Sequence, residues 1–374
     1  KEEITMKNTK PTGRTLDMTK GSPMKLLFTF ALPLFLGNLL QQFYNLADTS
    51  IAGHLLGDAA LAQIGATSAL YSLITNFAFG LNNGLALNVS RSFGAGDKKE
   101  MKRSVCWMVT LAFISALVMT VGFLMFRKPL LTVMQTPEDV LDGALSYFTV
   151  ILAGIPLTMA YNLESALLQS MGNSVTPLGF LLFSSILNVI LDFFFIGNPL
   201  NLGVQGAAAA TVLSQGLSAA LGFLYILKNY PEIRFDRKDW KVPGKFVTEM
   251  FWTGLSMALM SAIYNLGSVI LQSSINALGS VYIAAQVGGR KLAEFFYIPG
   301  IALGTSAATF SSQNFGAGER ARIAKGARSG IFMYFCWWLV ALVFVIFLAP
   351  TAVKFITGSS NPEVIKNGVL YLRI

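Results

Sequence analysis

The sequence predicts an all-α integral membrane protein, built as two parallel-related six-helix lobes around a central cavity. Three observations carry that prediction: an apolar composition, stretches long enough to cross a bilayer, and an internal duplication. Of the 374 residues, 53% are hydrophobic and 13% charged, with a mean hydropathy of +0.57. A soluble domain carries about 25% charged residues. The balance excludes an ordinary water-soluble enzyme, and 29 Phe residues set in long apolar runs exclude disorder.

The chain opens on a polar, basic segment, 1–24, that leads directly into a full-length apolar stretch, so an uncleaved first helix is expected. Stretches able to cover about 30 Å of hydrocarbon run over 25–48, 59–92, 101–127, 139–170, 175–197, 205–229, 246–276, 281–314 and 321–350. A tenth begins at Pro362. Several exceed what a perpendicular crossing needs, which implies tilt or protrusion.

Sidedness follows from Lys and Arg. The segments up to Lys25 and at 90–103, 228–245 and 319–328 hold 21 of them, whereas the alternate loops hold four: Arg127, Lys128, Lys354 and Lys366. A multi-pass cell-membrane protein with a cytoplasmic N-terminus is expected. The net charge of +9 then reports topology on solvated faces rather than a nucleic-acid or specific lipid site. Cys106 and Cys336 lie inside apolar runs with nothing to staple. His54, the single histidine, leaves no His-based metal site and no Ser/His/Asp triad. The chain therefore reads as neither an enzyme nor a cofactor carrier, and His54 as an interfacial residue at the end of the first span.

The duplication is more specific. SRSFGAGD at 90–97 recurs as SQNFGAGE at 312–319, an offset of 222, and AQIG at 62–65 recurs as AQVG at 285–288, an offset of 223. Six spans precede the second copy. An even number starts both halves on the same side, so they pack about an axis along the membrane normal and enclose a cavity of the kind a transporter uses for its substrate. The expected division is a cytoplasmic segment 1–24, a first lobe 25–229 with helices one to six, a cytoplasmic linker 230–245, and a second lobe 246–374. Position 151 plus 223 is 374, so the second lobe is expected to be incomplete, stopping inside the tenth of twelve helices. The two glycines of FGAG suit left-handed geometry at a helix end, with the acid opening the next helix.

YNLADTSIAG at 44–53, FGAG in both halves, LLQSMGNSVTP at 167–177, NVILDFFFIG at 188–197 and GAAAATVLSQ at 206–215 together resemble the MATE (multidrug and toxic compound extrusion) family of the MOP superfamily. The aspartate of the fifth span makes the resemblance closer to the DinF-like than to the NorM-like branch. It implies twelve helices in two lobes around a V-shaped cavity. It also implies alternating-access antiport of amphipathic, often cationic small molecules, driven by H⁺ or Na⁺. A monomer in the lipid bilayer is expected, with no nucleic-acid partner and no cofactor beyond the coupling ion. The rival is a lipid-linked oligosaccharide flippase of the same superfamily, which would line its cavity with several Arg or Lys to hold pyrophosphate; here only Arg290 and Lys291 approach membrane depth. An intramembrane enzyme would need a His/Asp/Ser or metal cluster, and the sequence supplies none.

A carboxylate at membrane depth is costly unless paired or protonated, so each one is a candidate. Gln41, Tyr44 and Asp48 share one face of the first span, and Ser184, Asn188 and Asp192 share one face of the fifth. By resemblance, Asp48, Asn188 and Asp192 form a cation site, joined by Thr211 of the sixth span. An all-oxygen set suits Na⁺, and two neighbouring carboxyls equally bind a proton; no other metal site is expected. The alternative is a static hydrogen-bonded network. Pro33 removes one backbone hydrogen bond below Asp48; in the family the matching proline is proposed to kink as the acid pair is protonated, although membrane prolines also sit still. Arg290 and Glu294, spaced i, i+4, read as a structural ion pair, and Glu164 of the fourth span is grouped with them as structural. The seventh span carries Tyr264 and Asn265 but no deep acid such as NorM-like members have, so no second-lobe cation site is expected.

Overall fold

The computed structural model describes residues 15–197, 200–276, 280–358 and 361–373, and among these no strand occurs. Most of the predicted cytoplasmic segment, 1–14, and Ile374 lie outside the described residues. The first seven helices are α1 (Pro23–Leu56), α2 (Asp58–Ala95), α3 (Lys98–Val133), α4 (Glu138–Ala153), α5 (Ile155–Ser170), α6 (Val175–Ile196) and α7 (Val204–Asn229). A 3₁₀ turn at Pro231–Ile233 leads to α8 (Gly244–Asn276), α9 (Ser280–Gly316), α10 (Arg320–Phe347), α11 (Ala349–Thr357) and α12 (Pro362–Arg373).

Seven of these, α1, α2, α3, α6, α7, α8 and α10, are long and apolar enough to cross a bilayer, and α4 with α5 makes an eighth crossing bent by 46°. The bend has a local cause. Pro156, in the first turn of α5, has no N–H for the carbonyl of Leu152. Gly154, at the junction, leaves room for Val212 of α7 to close on the backbone.

Two of the ten predicted spans need correction. The first does not end at Asp48 but continues two turns to Leu56. The eighth, α9, has 37 residues but falls short of lipid-grade apolarity among the described residues, because it carries Arg290, Lys291 and Glu294 and ends in a Ser/Thr/Gln/Asn-rich run. It packs against α1, α2, α10, α11 and α12, so protein covers much of it. The tenth stretch begins α12 at Pro362.

The duplicated motifs meet at the crossing of α2 and α9, and they meet reciprocally. Ser90 Oγ donates to the Thr309 carbonyl at 3.3 Å, and Ser312 Oγ donates to the Leu87 carbonyl at 2.7 Å. Gly94 lies on the Gln313 backbone, and Gly316 lies on the Arg91 backbone. Each contact maps onto its mate by the offset of 222. Positions climb both helices together, so the two copies run parallel; an inverted pair would climb in opposite senses. The flanking crossings are close as well. Gly80 and Gly84 of α2 admit Ala258 and Gly254 of α8, so closely that a Cβ at either glycine would stand 2.7 Å from the α8 backbone. Across the axis Ser306 of α9 donates to the Leu27 carbonyl of α1 at 3.0 Å. Small residues spaced four apart let such backbones touch.

FGAG therefore divides its labour in a way the sequence reading missed. Only its second glycine, Gly96 (φ +68°) or Gly318 (φ +78°), is left-handed; the first serves the crossing. The acid opens the next helix in one copy alone. Asp97 accepts from the Lys99 and Glu100 N–H groups at 3.0 and 2.9 Å, whereas Glu319 makes no such cap.

A strap, residues 15–21, closes the end of the bundle where the basic loops lie. Its Leu16 N–H donates to the Gly172 carbonyl at 3.0 Å, and Thr15 hydrogen-bonds the Tyr230 hydroxyl at 3.1 Å. Met18 is fully buried among Leu27, Phe30 and Phe310. Its N–H donates to Gln313 Oε1 at 3.1 Å, and its carbonyl accepts from Asn314 Nδ2 at 3.0 Å and Arg322 Nη2 at 3.2 Å. Gln313 also donates to the Ser170 carbonyl at 3.0 Å, so one side chain ties the strap, α5 and α9 together. Arg322 is thus no mere solvated charge, and neither is Arg91, which stacks 4.8 Å from the Phe315 ring. Met18→Asp should bury an unpaired charge and free the strap. Tryptic cleavage at Lys20 is expected to accelerate about tenfold or more; an unchanged rate would count against the packing described.

Candidate functional site

The site forms where α1, α6 and α7 converge. Gly37 of α1 lets Leu178 and Leu181 of α6 approach to ordinary contact, and Gly206 of α7 sits so close to α6 that a Cβ would stand 2.7 Å from the Phe195 carbonyl. Ala207, Ala208 and Ala210 keep that wall of α7 thin. Polar faces are thereby pressed together inside an apolar bundle.

Asp192 and Asn188 are fully buried on α6. The Asp48 and Asp192 carboxyls face one another closely enough to act on each other, an approach two bare carboxylates resist; a shared proton or an intervening cation relieves it. Turned so that its nitrogen faces the acid, the Asn188 amide donates to Asp192 Oδ2 at 3.0 Å and its oxygen accepts from the Thr211 backbone N–H at 3.2 Å, which satisfies both ends of the amide. Thr211 Oγ1 receives the Tyr44 hydroxyl at 3.5 Å and donates to the Ala207 carbonyl at 3.1 Å. Asp48 Oδ1 and Asp192 Oδ1 are buried without any hydrogen-bond partner. Orphaned oxygens beside a carboxyl pair are what a hard cation or a proton would satisfy. Among the described residues no group of three His, Cys, Asp or Glu could hold a metal, so a transition-metal centre finds no ligands here.

Asp48, Asn188, Asp192, Thr211 and Tyr44 are thus together, and the other candidates are not. Gln41 turns to Asn45 on its own helix at 3.3 Å. Ser184 is buried two turns from Asp192 with no bond to the acids. Pro33 lies within α1, which continues through it as one helix, about 22 Å below Asp48 at 1.5 Å per residue. Arg290 Nε stands 3.7 Å from Glu294 Oε1 on a pair about half exposed, a weak interaction. His54 Nδ1 rests 2.8 Å from the Ser50 carbonyl in the last turn of α1.

Three residues that sequence reasoning passed over extend the network. Tyr71 of α2 lies beside Gln215 of α7, whose Oε1 accepts from Thr158 Oγ1 of α5 at 2.7 Å. Gln215 follows Thr211 by four residues and so shares its face, a signal available in the sequence. Nothing there pointed to Tyr71 or Thr158.

A sequence model of the MatE family matches residues 33–194 and 256–374, well over half of the chain. The chain belongs to the MatE family. This MatE protein is 29% identical over 313 residues to the probable multidrug resistance protein YpnP of Bacillus subtilis, covering 83% of this chain and 69% of that protein. It is 27% identical over 353 residues to an FAD transporter of Shewanella oneidensis, covering 91% and 76%. It is 25% identical over 364 residues to the probable multidrug resistance protein NorM of Thermotoga maritima, covering 94% and 75%. Among solved structures, an outward-facing multidrug resistance MATE transporter of the MOP superfamily superimposes with a TM-score of 0.86 at 23% identity, covering 96% of this chain and 79% of that one. A MATE structure in the straight conformation gives 0.84 at 21% identity, covering 95% and 81%. The fold of this MatE chain is therefore that of the MATE transporters, a multi-pass membrane architecture.

Proposed function

We propose that this protein is a cation-coupled efflux antiporter, exporting amphipathic and often cationic organic compounds by alternating access, with H⁺ or Na⁺ as the counter-ion. The observation that carries the reading is the contact between Asp48 and Asp192, with an unpartnered buried oxygen on each. An ion that occupies the pair neutralises its repulsion and draws α1 toward α6; Pro33 lets α1 bend at lower cost than an unbroken helix. The acid on α6 is what a DinF-like branch would carry. The N-terminus is cytoplasmic on the Lys and Arg count, residues 25–229 and 246–374 are the two moving lobes, and the working unit is a monomer. The printed names of the relatives, two multidrug resistance proteins among those above, support organic cargo. A pyrophosphate-binding flippase, which would line its cavity with several Arg or Lys, is disfavoured because only Arg290 and Lys291 approach membrane depth.

The test is reconstitution into vesicles with a fluorescent cationic dye, imposing ΔpH and ΔNa⁺ separately. Export under one gradient and none without either supports the reading; export of an anionic dinucleotide in place of the dye would move the cargo class toward that of the Shewanella relative. Linkage adds a quantitative expectation. Dye and ion should each weaken the other's binding by one common factor, about 5- to 150-fold. Dye affinity independent of both pH and Na⁺, in a protein that still transports, removes the acid pair from coupling.

A further inference from the structure

Glu164 lies on α5, fully buried, and neither Oε1 nor Oε2 has a hydrogen-bond partner. Its carboxyl presses on α7 at Gly222, where any Cβ would occupy the space of Oε2. Tyr161, one turn earlier on α5, is the titratable group beside it, and among the described residues no Lys, Arg or His forms an ion pair with it. From α7 it meets Gly222, while Asn82 of α2 turns to the Met159 carbonyl of α5 at 3.4 Å, five residues before Glu164. A carboxylate in such a place is costly, so the group sheds its charge by holding a proton.

Glu164 is also the last member of a polar seam. On α7, Thr211, Gln215 and Gly222 fall at i, i+4 and i+11, one helical face, whereas the Ser218 hydroxyl donates to the Phe180 carbonyl of α6 at 2.9 Å. On α5, Thr158, Tyr161 and Glu164 descend beside them, with Thr158 bonded to Gln215 at 2.7 Å. The seam starts at Thr211, inside the acid-pair site, and ends at Glu164, six residues from the end of α5 where the basic loops lie.

We infer that Glu164 is the proton-exchange group at the cytoplasmic end of this seam. It receives the proton that leaves the Asp48–Asp192 pair and passes it to the inner water when the lobes reopen. The proton is conserved throughout: one carboxyl loses it, the other gains it, and Tyr161, Gln215 and Thr158 stand between as hydrogen-bonding groups. The inference rests on the proposed coupling at the acid pair and names a residue that coupling does not itself require.

Glu164→Gln in reconstituted vesicles tests it. Dye binding and thermal midpoint should stay at parental values, while export driven by ΔpH falls at least about tenfold and its pH profile flattens. Dye-for-dye exchange without a gradient should persist, and Glu164→Asp, which keeps an acid, should recover export. Parental ΔpH-driven export and an unaltered pH profile in Glu164→Gln overturn the inference. If Glu164→Gln does not fold, carbodiimide labelling of the parental protein decides, because that reagent modifies protonated buried carboxyls. Labelling of Glu164 that tracks pH supports the role, and absence of labelling overturns it. Asp192→Asn is run beside these variants. Its keeping full ΔpH-driven export would defeat the acid-pair reading, whereas its losing export while Glu164→Gln keeps it defeats the Glu164 inference alone.

Discussion

Asp192→Asn should reduce gradient-driven export to that of empty vesicles, a drop of about a hundredfold, while the protein stays folded. The amide keeps the size of the carboxyl and can still bond Asn188, which lies 3.0 Å from Asp192 Oδ2. It cannot share a proton with Asp48 or lend charge to a cation. A contact that needs a proton or cation as its third partner becomes one that needs neither, so the free-energy difference between occupied and empty site disappears. Removing the repulsion could even raise the thermal midpoint, because a buried charge pair is weak evidence for stability. Export rates and midpoints measured on the same preparation separate the two effects. Parental export at equal expression would make the cluster a static network that only holds α1, α6 and α7 together.

Gly94→Ala and Gly316→Ala should each destabilise the folded protein by about 1–3 kcal/mol, as overpacking does. Alanine is the better helix former by about 1 kcal/mol, so a mid-helix glycine with free space around it should gain from the change. Gly122 of α3 is such a position, with nothing within 4 Å of a Cβ, and Gly122→Ala is the control expected to hold or raise stability. At Gly94 and Gly316 the obstacle is the backbone of the facing helix, which cannot rotate aside as a side chain can. Thermal midpoints in detergent decide the matter. Both glycine variants must fall together, because the crossing is reciprocal; a fall in one alone would contradict the two-fold relation.

Hydropathy and spacing located the helices and the duplication because those signals are local and periodic. They failed where burial is paid for by protein contacts instead of by apolar side chains. The first span was ended at Asp48 because a charge looks like a boundary, yet α1 keeps its backbone bonds for two further turns. Arg290, Lys291 and Glu294 make α9 poorly apolar; the helix is held by packing against α1, α2, α10, α11 and α12, while Lys291 and Glu294 stay exposed. The strap was invisible for the same reason: Met18 is buried through backbone bonds to Gln313, Asn314 and Arg322, side chains some 300 residues away in sequence. At the site, single-helix spacing brought Tyr44 and Asp48, or Asn188 and Asp192, onto common faces. Which faces of different helices meet depends on rotation and crossing, which spacing along one chain does not encode, and so Tyr71, Thr158 and the isolation of Glu164 emerged only in three dimensions.

The crossing of α2 and α9 has the form of an isologous interface, the kind two identical subunits make about a shared two-fold axis, here folded into one chain. In such a joint a single residue type must serve both partners, and any change is felt twice. Covalent linkage lifts that restriction, and position 91 with its mate 313 shows the result. Arg91 stacks on Phe315, whereas Gln313 holds the strap and Ser170. A homodimer of the same fold would have to carry two straps or none. One polypeptide can fasten a single N-terminal segment across a joint that is otherwise symmetric.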